Sequence, residues 1–200
     1  MMVIDCTGHG VPGAFVTMLV KAIERELVAK INKSDFDIDP AIALQYFNVT
    51  MKKLLSQEDD ESIANAGFDG GIIYINKKEK ILRYSGAYTE LFYIEDNQLT
   101  MIKGDRYSIG YKNSDPSFEF TTHTVDIKKG MKFYISTDGF LDQKGGDKGF
   151  CFGKKKFKKL LLDHHNQPME KQEDIFIDRL KAYQGEYFKV DDITLIGLEI

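Results

Sequence analysis

Near its start the chain runs through three apolar residues, Met2, Val3 and Ile4, to Asp5, and then into Cys6-Thr7-Gly8-His9-Gly10-Val11-Pro12-Gly13. Glycines at 8, 10 and 13 let the backbone turn through conformations that side chains resist. Pro12 suits the first turn of a helix and cannot donate to a strand ladder. The segment therefore predicts a buried strand, a tight turn and a helix N-terminus, with a carboxylate at the strand end. Phe15, Met18, Leu19, Ala22, Ile23 and Leu27 extend the helical period to about 30–32, with Glu24, Arg25, Glu26 and Lys30 on the wet side. A core strand entered with no polar lead-in predicts that the domain is N-terminally truncated, its first strand or strands lying upstream.

Farther along, Asp39-Pro40 reads as a cap followed by a first-turn proline. The second helix it opens carries Ile42, Leu44, Phe47, Met51 and Leu54 as apolar positions and ends near Gln57. Glu58, Asp59, Asp60 and Glu61 read as a solvated, mobile connection. From Phe68 the period changes to that of strands. Runs at 72–75, 81–84, 91–94 and 98–102 predict an antiparallel meander, followed by a polar loop over 103–116 and strands at 118–127 and 131–136. An irregular loop marked by Gly145, Gly146 and Gly149 precedes helices around 157–161 and after Pro168, and a strand at 193–200 closes the chain. Strand, two helices, a run of strands, two helices and a strand make an α+β pattern with segregated layers, not an alternating doubly wound one. Residues 1–200 are read as one domain.

Composition narrows the function classes. With 42% hydrophobic residues, 14 Phe and 10 Tyr, the chain can bury a core, which excludes a wholly disordered or fibrous protein. No run approaches the roughly 20 apolar residues of a membrane span, so no membrane contact is expected of this segment. Against 31 acidic residues stand 27 basic ones, and the net charge of -4 gives no footprint for nucleic acid. Two cysteines, Cys6 and Cys151, are too few for a disulfide scaffold and fit a reducing, cytoplasmic setting.

Three acidic positions adjoin apolar runs and turns: Asp5, Asp138 in Thr137-Asp138-Gly139, and Asp191 beside Asp192 in Val190-Asp191-Asp192-Ile193. Each alone reads as a turn former or cap. Brought together, they would repel one another, and a hard divalent cation is the usual remedy. An Asp-rich, His-poor set favours magnesium or manganese over zinc.

The string from Asp5 to Ala14, with Ser136-Thr137-Asp138-Gly139-Phe140 and Asp191-Asp192-Ile193-Thr194, resembles the metal-dependent protein phosphatases (PPM, or type 2C), and within them the bacterial SpoIIE-like branch. Phe68-Asp69-Gly70-Gly71, Tyr84-Ser85-Gly86-Ala87 and Phe152-Gly153 are similar to further landmarks of that family, so the resemblance spans the chain. It implies an antiparallel β-sandwich flanked by helices and a two-metal Mn2+ or Mg2+ centre. The acid matching Asp5 bridges both ions, the backbone carbonyl of Cys6 binds one, and Asp138 and Asp191 bind the other. A hydroxide between the metals attacks phosphoserine or phosphothreonine in line, so neither cysteine is a nucleophile.

Two departures qualify that expectation. The family's Gly-Asp-aromatic motif upstream of the glycine turn does not occur in these residues, so at most one ion is expected to be well held here, with weak or no activity. The His that many relatives carry two places after the bridging acid is Thr7; His9 is read as ordering the turn. The open edge left beside the first strand predicts a homodimer. The resemblance further implies a phosphorylated signalling protein as substrate, such as an anti-sigma-factor antagonist, and a sensor or membrane module in the parent protein. The competing expectation is a catalytically impaired phosphatase-like module that binds a signalling partner. Asp192 is read as a strand-entry residue, Asp69 as a bulge or turn, the lysines from 154 to 159 as a solvated helix face, and His164-His165 as surface.

Overall fold

The computed structural model describes residues 1–8, 10–31, 39–57 and 65–200. His9, expected to order the turn, and the acidic run 58–61, expected to be a solvated connection, lie outside the described residues. In chain order the elements are β1 (Met2–Cys6), α1 (Gly10–Ile31), α2 (Pro40–Leu54), β2 (Phe68–Asn76), β3 (Ile81–Ala87), β4 (Leu91–Glu95), β5 (Gln98–Ile102), β6 (His123–Asp126), β7 (Lys132–Ser136), α3 (Asp138–Asp142), β8 (Lys144–Gly145), β9 (Phe150–Cys151), α4 (Gly153–His164), α5 (Met169–Gln184) and β10 (Leu195–Glu199). This is the α+β class expected, with antiparallel sheets and helices. Among the described residues no helix is long and apolar enough to cross a membrane. The elements fall into two compact units, Met1–Thr89 with Lys103–Asp126, and Glu90–Ile102 with Ile127–Ile200.

The first unit is built on a four-stranded antiparallel sheet in the order β1-β2-β3-β6. Asp39 caps α2 by accepting the Ala41 N–H at 2.8 Å, and Pro40 occupies the first turn, as the sequence predicts. Val16, Val20 and Ile23 of α1 join Leu44, Phe47 and Met51 of α2 in a core with Phe68, Ile72 and Ile109. The Phe47 and Phe68 rings meet edge to face at 5.6 Å.

The face of α1 agrees with expectation at Ile23, which is buried, and at Leu19 and Leu27, which pack against the core, and differs at its other positions. Phe15 and Met18 are 69% and 70% exposed, while Gly13, Val16, Val20 and Ile23 are buried. At Gly13 a Cβ would lie 2.5 Å from the Gly8 carbonyl oxygen, so the bare glycine lets the first turn of α1 close onto the preceding loop, while Val16, Val20 and Ile23 are buried against α2 and the sheet.

The second unit holds the sheet β10-β7-β4-β5, also antiparallel, and a two-stranded β8-β9 hairpin where an irregular loop was expected. Phe92, Phe140, Phe152 and Phe157 form its aromatic centre, with Phe140 at 5.3 Å from Phe152 and 5.1 Å from Phe157. Leu160 and Leu161 of α4 and Phe176 and Leu180 of α5 complete it. The meander read from the sequence is two hairpins, β2-β3 in one sheet and β4-β5 in the other. The chain leaves β3 through Tyr88, whose φ is +50°, while the Tyr84 hydroxyl donates to the Thr89 carbonyl at 2.7 Å and fixes that exit. The strand expected over 118–127 pairs only at His123–Asp126. Before it, Phe118 stacks on Tyr107 at 3.8 Å and meets Phe120 at 5.0 Å, so aromatic packing takes the place of a ladder.

Candidate metal centre

In the first unit Asp5 lies on β1 directly opposite Asp69 on β2. Carboxylates facing each other across an antiparallel pair repel, and a cation beside them offsets the repulsion. Asp69, read from sequence as a bulge or turn residue, thus occupies a regular ladder position. Cys6 pairs with Phe68, and the ladder closes at Thr7, whose N–H donates to the Gly67 carbonyl at 2.9 Å. The Thr7 hydroxyl donates to the same carbonyl at 3.0 Å and also meets the Tyr111 hydroxyl.

Two groups around Asp5 are perturbed. Burial pushes the Cys6 thiol above its usual range, with the Asp5 charge adding to the effect and a hydrogen bond with Thr17 opposing it. A thiol held protonated is a poor nucleophile. The half-buried Tyr111 hydroxyl is raised chiefly by burial, opposed by its bond with Thr7 and reinforced by the charges of Asp69, Asp5 and Cys6.

In the second unit β7 ends at Ser136, and Thr137 fastens the chain just past it to the segment leading into β10. The Thr137 N–H donates to the Thr194 carbonyl at 3.0 Å, its hydroxyl donates to the Asp192 carbonyl at 3.2 Å, and that hydroxyl accepts the Thr194 N–H at 3.0 Å. Asp138 then opens α3. A Cβ on Gly139 would fall 2.3 Å from the Asp192 carbonyl oxygen, so the bare glycine allows residues 191–192 to lie against the first turn of α3. This contact sets carboxylate oxygens of the exposed Asp138 and Asp191 within 4.8 Å of each other.

Asp142, one helical turn after Asp138, stands beside the pair. Its carboxyl is raised above the ordinary range first by burial and next by the Asp138 charge, with Lys154 opposing and Asp191 adding. Sequence reading missed it because Asp138-Gly139 reads as a turn; once a helix starts there, the i, i+4 spacing is the signal. Asp192 is a strand-entry residue, as expected: its carbonyl serves Thr137 and its exposed carboxylate pairs with Lys189 at 2.7 Å. Lys154 and Lys159, also read as surface, pair with Glu90 and Asp163.

Closely set carboxylates without a soft ligand are a donor set suited to a hard divalent ion. The profile of a family described as Stage II sporulation protein E (SpoIIE) matches residues 1–200. The chain belongs to the SpoIIE family. Among solved structures, the SiaA-PP2C domain of Pseudomonas aeruginosa is 34% identical with a TM-score of 0.86, covering 100% of this chain and 74% of that one. The PP2C phosphatase domain of Bacillus subtilis SpoIIE, solved with a fragment of its regulatory domain, is 15% identical at a TM-score of 0.69. It covers all of this chain, which spans 53% of that structure. The catalytic domain of the serine/threonine phosphatase PstP, in complex with two manganese ions, gives 14% identity and a TM-score of 0.65 over 98% of this chain and 85% of that one. No curated protein sequence matches the chain. The fold of this SpoIIE-family chain is that of the PP2C-type phosphatases.

Proposed function

We propose that this SpoIIE-family chain is a metal-dependent protein serine/threonine phosphatase domain of a bacterial signalling protein. The observation that carries the reading is the Asp138–Asp191 pair, set within 4.8 Å on a PP2C-type fold. Asp5 and the Cys6 carbonyl from the first unit, with Asp138 and Asp191 from the second, are proposed to hold Mn2+ or Mg2+. When bound, the metal lowers the pKa of water and offsets charge on the phosphoryl group. Asp138 and Asp191 are exposed, so a phosphate carried on another protein can reach them. Asp142 stands beside the pair, its carboxyl raised above the ordinary range by burial and then by the Asp138 charge.

The substrate is proposed to be a phosphorylated signalling protein in the cytoplasm, of the anti-sigma-factor-antagonist kind that the SpoIIE-like resemblance implies. The test is release of inorganic phosphate from a phosphoserine peptide by the purified chain. Weak release that requires added Mn2+ and stops with a chelator is expected. Tight Mn2+ binding with no release would instead mark a partner-binding module.

Cys6 supplies its backbone oxygen in this reading. Cys6→Ser is therefore expected to keep phosphate release within about two-fold of the unaltered chain, because the thiol is protonated and takes no covalent part. A variant without activity but with an unchanged melting temperature would return the thiol to the chemistry.

A further inference from the structure

Thr7 stands where many type 2C relatives carry a histidine, and its hydrogen bonds give it a different use. The Cys6–Thr7 peptide is trans, as all the described peptides are, so its C=O points opposite to its N–H. That N–H donates to Gly67 on the side of β2. The opposing residue, Phe68, has both its N–H and its C=O engaged with Ile109 at 3.0 Å each. The Cys6 carbonyl is therefore turned away from β2, and the orientation of one peptide plane decides where this oxygen aims.

A single backbone bond at the end of a ladder leaves such a plane free to rock. Thr7 adds a second restraint, since its hydroxyl donates to the same Gly67 carbonyl at 3.0 Å. A threonine hydroxyl has one proton. With that proton given to Gly67, the contact between Thr7 and Tyr111 has the Tyr111 hydroxyl as donor.

Tyr111 is in turn held on a frame that does not depend on β1. Asn48, Lys52 and Gln57, at 0%, 5% and 0% exposure, lie on α2 and in the turn after it. Asn48 accepts the Gly110 N–H at 2.9 Å, Gln57 donates to the Gly110 carbonyl, and Lys52 donates to the Lys112 carbonyl at 2.8 Å. The backbone is thus gripped on both sides of Tyr111, and the Tyr111 carbonyl accepts from the Ser114 N–H at 2.9 Å. Buried polar groups are costly to leave unbonded, so this grip is stiff.

We infer that Tyr111, through Thr7, is a positioning residue that fixes the Cys6–Thr7 peptide plane and so aims the Cys6 carbonyl and the adjacent Asp5 at the metal. The inference rests on the proposed assignment of Asp5 and Cys6 as ligands. Residues that orient metal ligands typically change affinity by about 10- to 100-fold when removed. A restraint acting through one intervening side chain belongs at the low end of that range.

The experiment is an Mn2+ titration of the purified chain, followed by the paramagnetic resonance of the free ion, with thermal unfolding recorded in chelator. Tyr111→Phe deletes one hydroxyl and is expected to weaken Mn2+ binding roughly ten-fold, while the melting temperature moves by less than about 4 °C. Thr7→Val should weaken binding in the same way, and Thr7→Ser, which keeps the hydroxyl, should bind as the unaltered chain does. The lost phosphate release should return at saturating Mn2+ with KM for the peptide unchanged, which a general loosening of the fold would not give. Unchanged Mn2+ affinity in both Tyr111→Phe and Thr7→Val overturns the inference. Asp5→Asn separates the two levels of argument. If it loses Mn2+ while Tyr111→Phe retains it, positioning alone is rejected. If Asp5→Asn binds Mn2+ normally, the ligand assignment falls and the inference with it.

Discussion

Asp138→Asn is expected to leave the fold intact and to lower Mn2+-dependent phosphate release by on the order of a hundred-fold or more, since even groups that only orient a metal ligand are worth 10- to 100-fold. The substitution keeps the side-chain volume and removes one negative charge. Asp138 is exposed at the start of α3, and the neighbouring Phe140 and Leu141 supply the burial that holds this short helix, so stability should scarcely change. A second readout follows from the same geometry. The Asp138 charge is the second-largest cause, after burial, of the raised Asp142 carboxyl, so Asp142 should titrate at lower pH in the variant, as followed by carboxyl NMR. Undiminished turnover in Asp138→Asn would remove Asp138 from the metal site, whatever Asp142 did.

What could be read from the sequence divides along the range of the interactions concerned. The Asp39-Pro40 start of α2 is written in adjacent residues, since the cap bonds to Ala41 only two places away. The full buried face of α1 is not. Phe15, Met18 and Ala22 repeat at helical spacing as faithfully as Val16 and Val20 do beside the expected Ile23, and periodicity alone cannot choose between stripes that adjoin on one helix. The choice is made by packing against α2 and the sheet, and the close approach of Gly13 to Gly8 likewise exists only once the turn has formed. Strand positions were legible from local composition, whereas the division of β2-β3 and β4-β5 between two sheets depends on partners such as β7, far along the chain.

The site shows the same division. Asp5, Asp138 and Asp191 stand out because each follows or adjoins an apolar run beside a turn. Asp69 was misread because its meaning lies across the ladder, opposite Asp5. The Thr7–Tyr111 contact joins residues 104 apart and leaves no trace in either local stretch.

Gly139→Ala tests the contact that places Asp191. Its backbone conformation is one that alanine can adopt, so the obstacle is space alone: the added Cβ would sit 2.3 Å from the Asp192 carbonyl oxygen and 3.0 Å from its carbonyl carbon. One side of that contact must yield. The α3 side is anchored, because Phe140, the next residue, is 2% exposed between the rings of Phe152 and Phe157. The segment entering β10 is the softer side, with Val190 51% exposed and Asp191 also exposed. Residues 191–193 should therefore be pushed outward, stretching the bonds from Thr137 to the Asp192 and Thr194 carbonyls and carrying the Asp191 carboxylate away from Asp138. Overpacking of this kind costs about 1–3 kcal/mol, which for a chain of this size lowers the melting temperature by roughly 2–4 °C per kcal/mol. The functional loss should be larger than that figure suggests, because displacing a reacting group by about 1 Å can cost on the order of a hundred-fold in rate. Mn2+-dependent phosphate release and thermal unfolding measured on the same preparation separate the two effects. An alanine variant that melted lower yet turned over normally would show that the 191–192 segment can move without consequence, and Asp191 could then not be the ligand proposed.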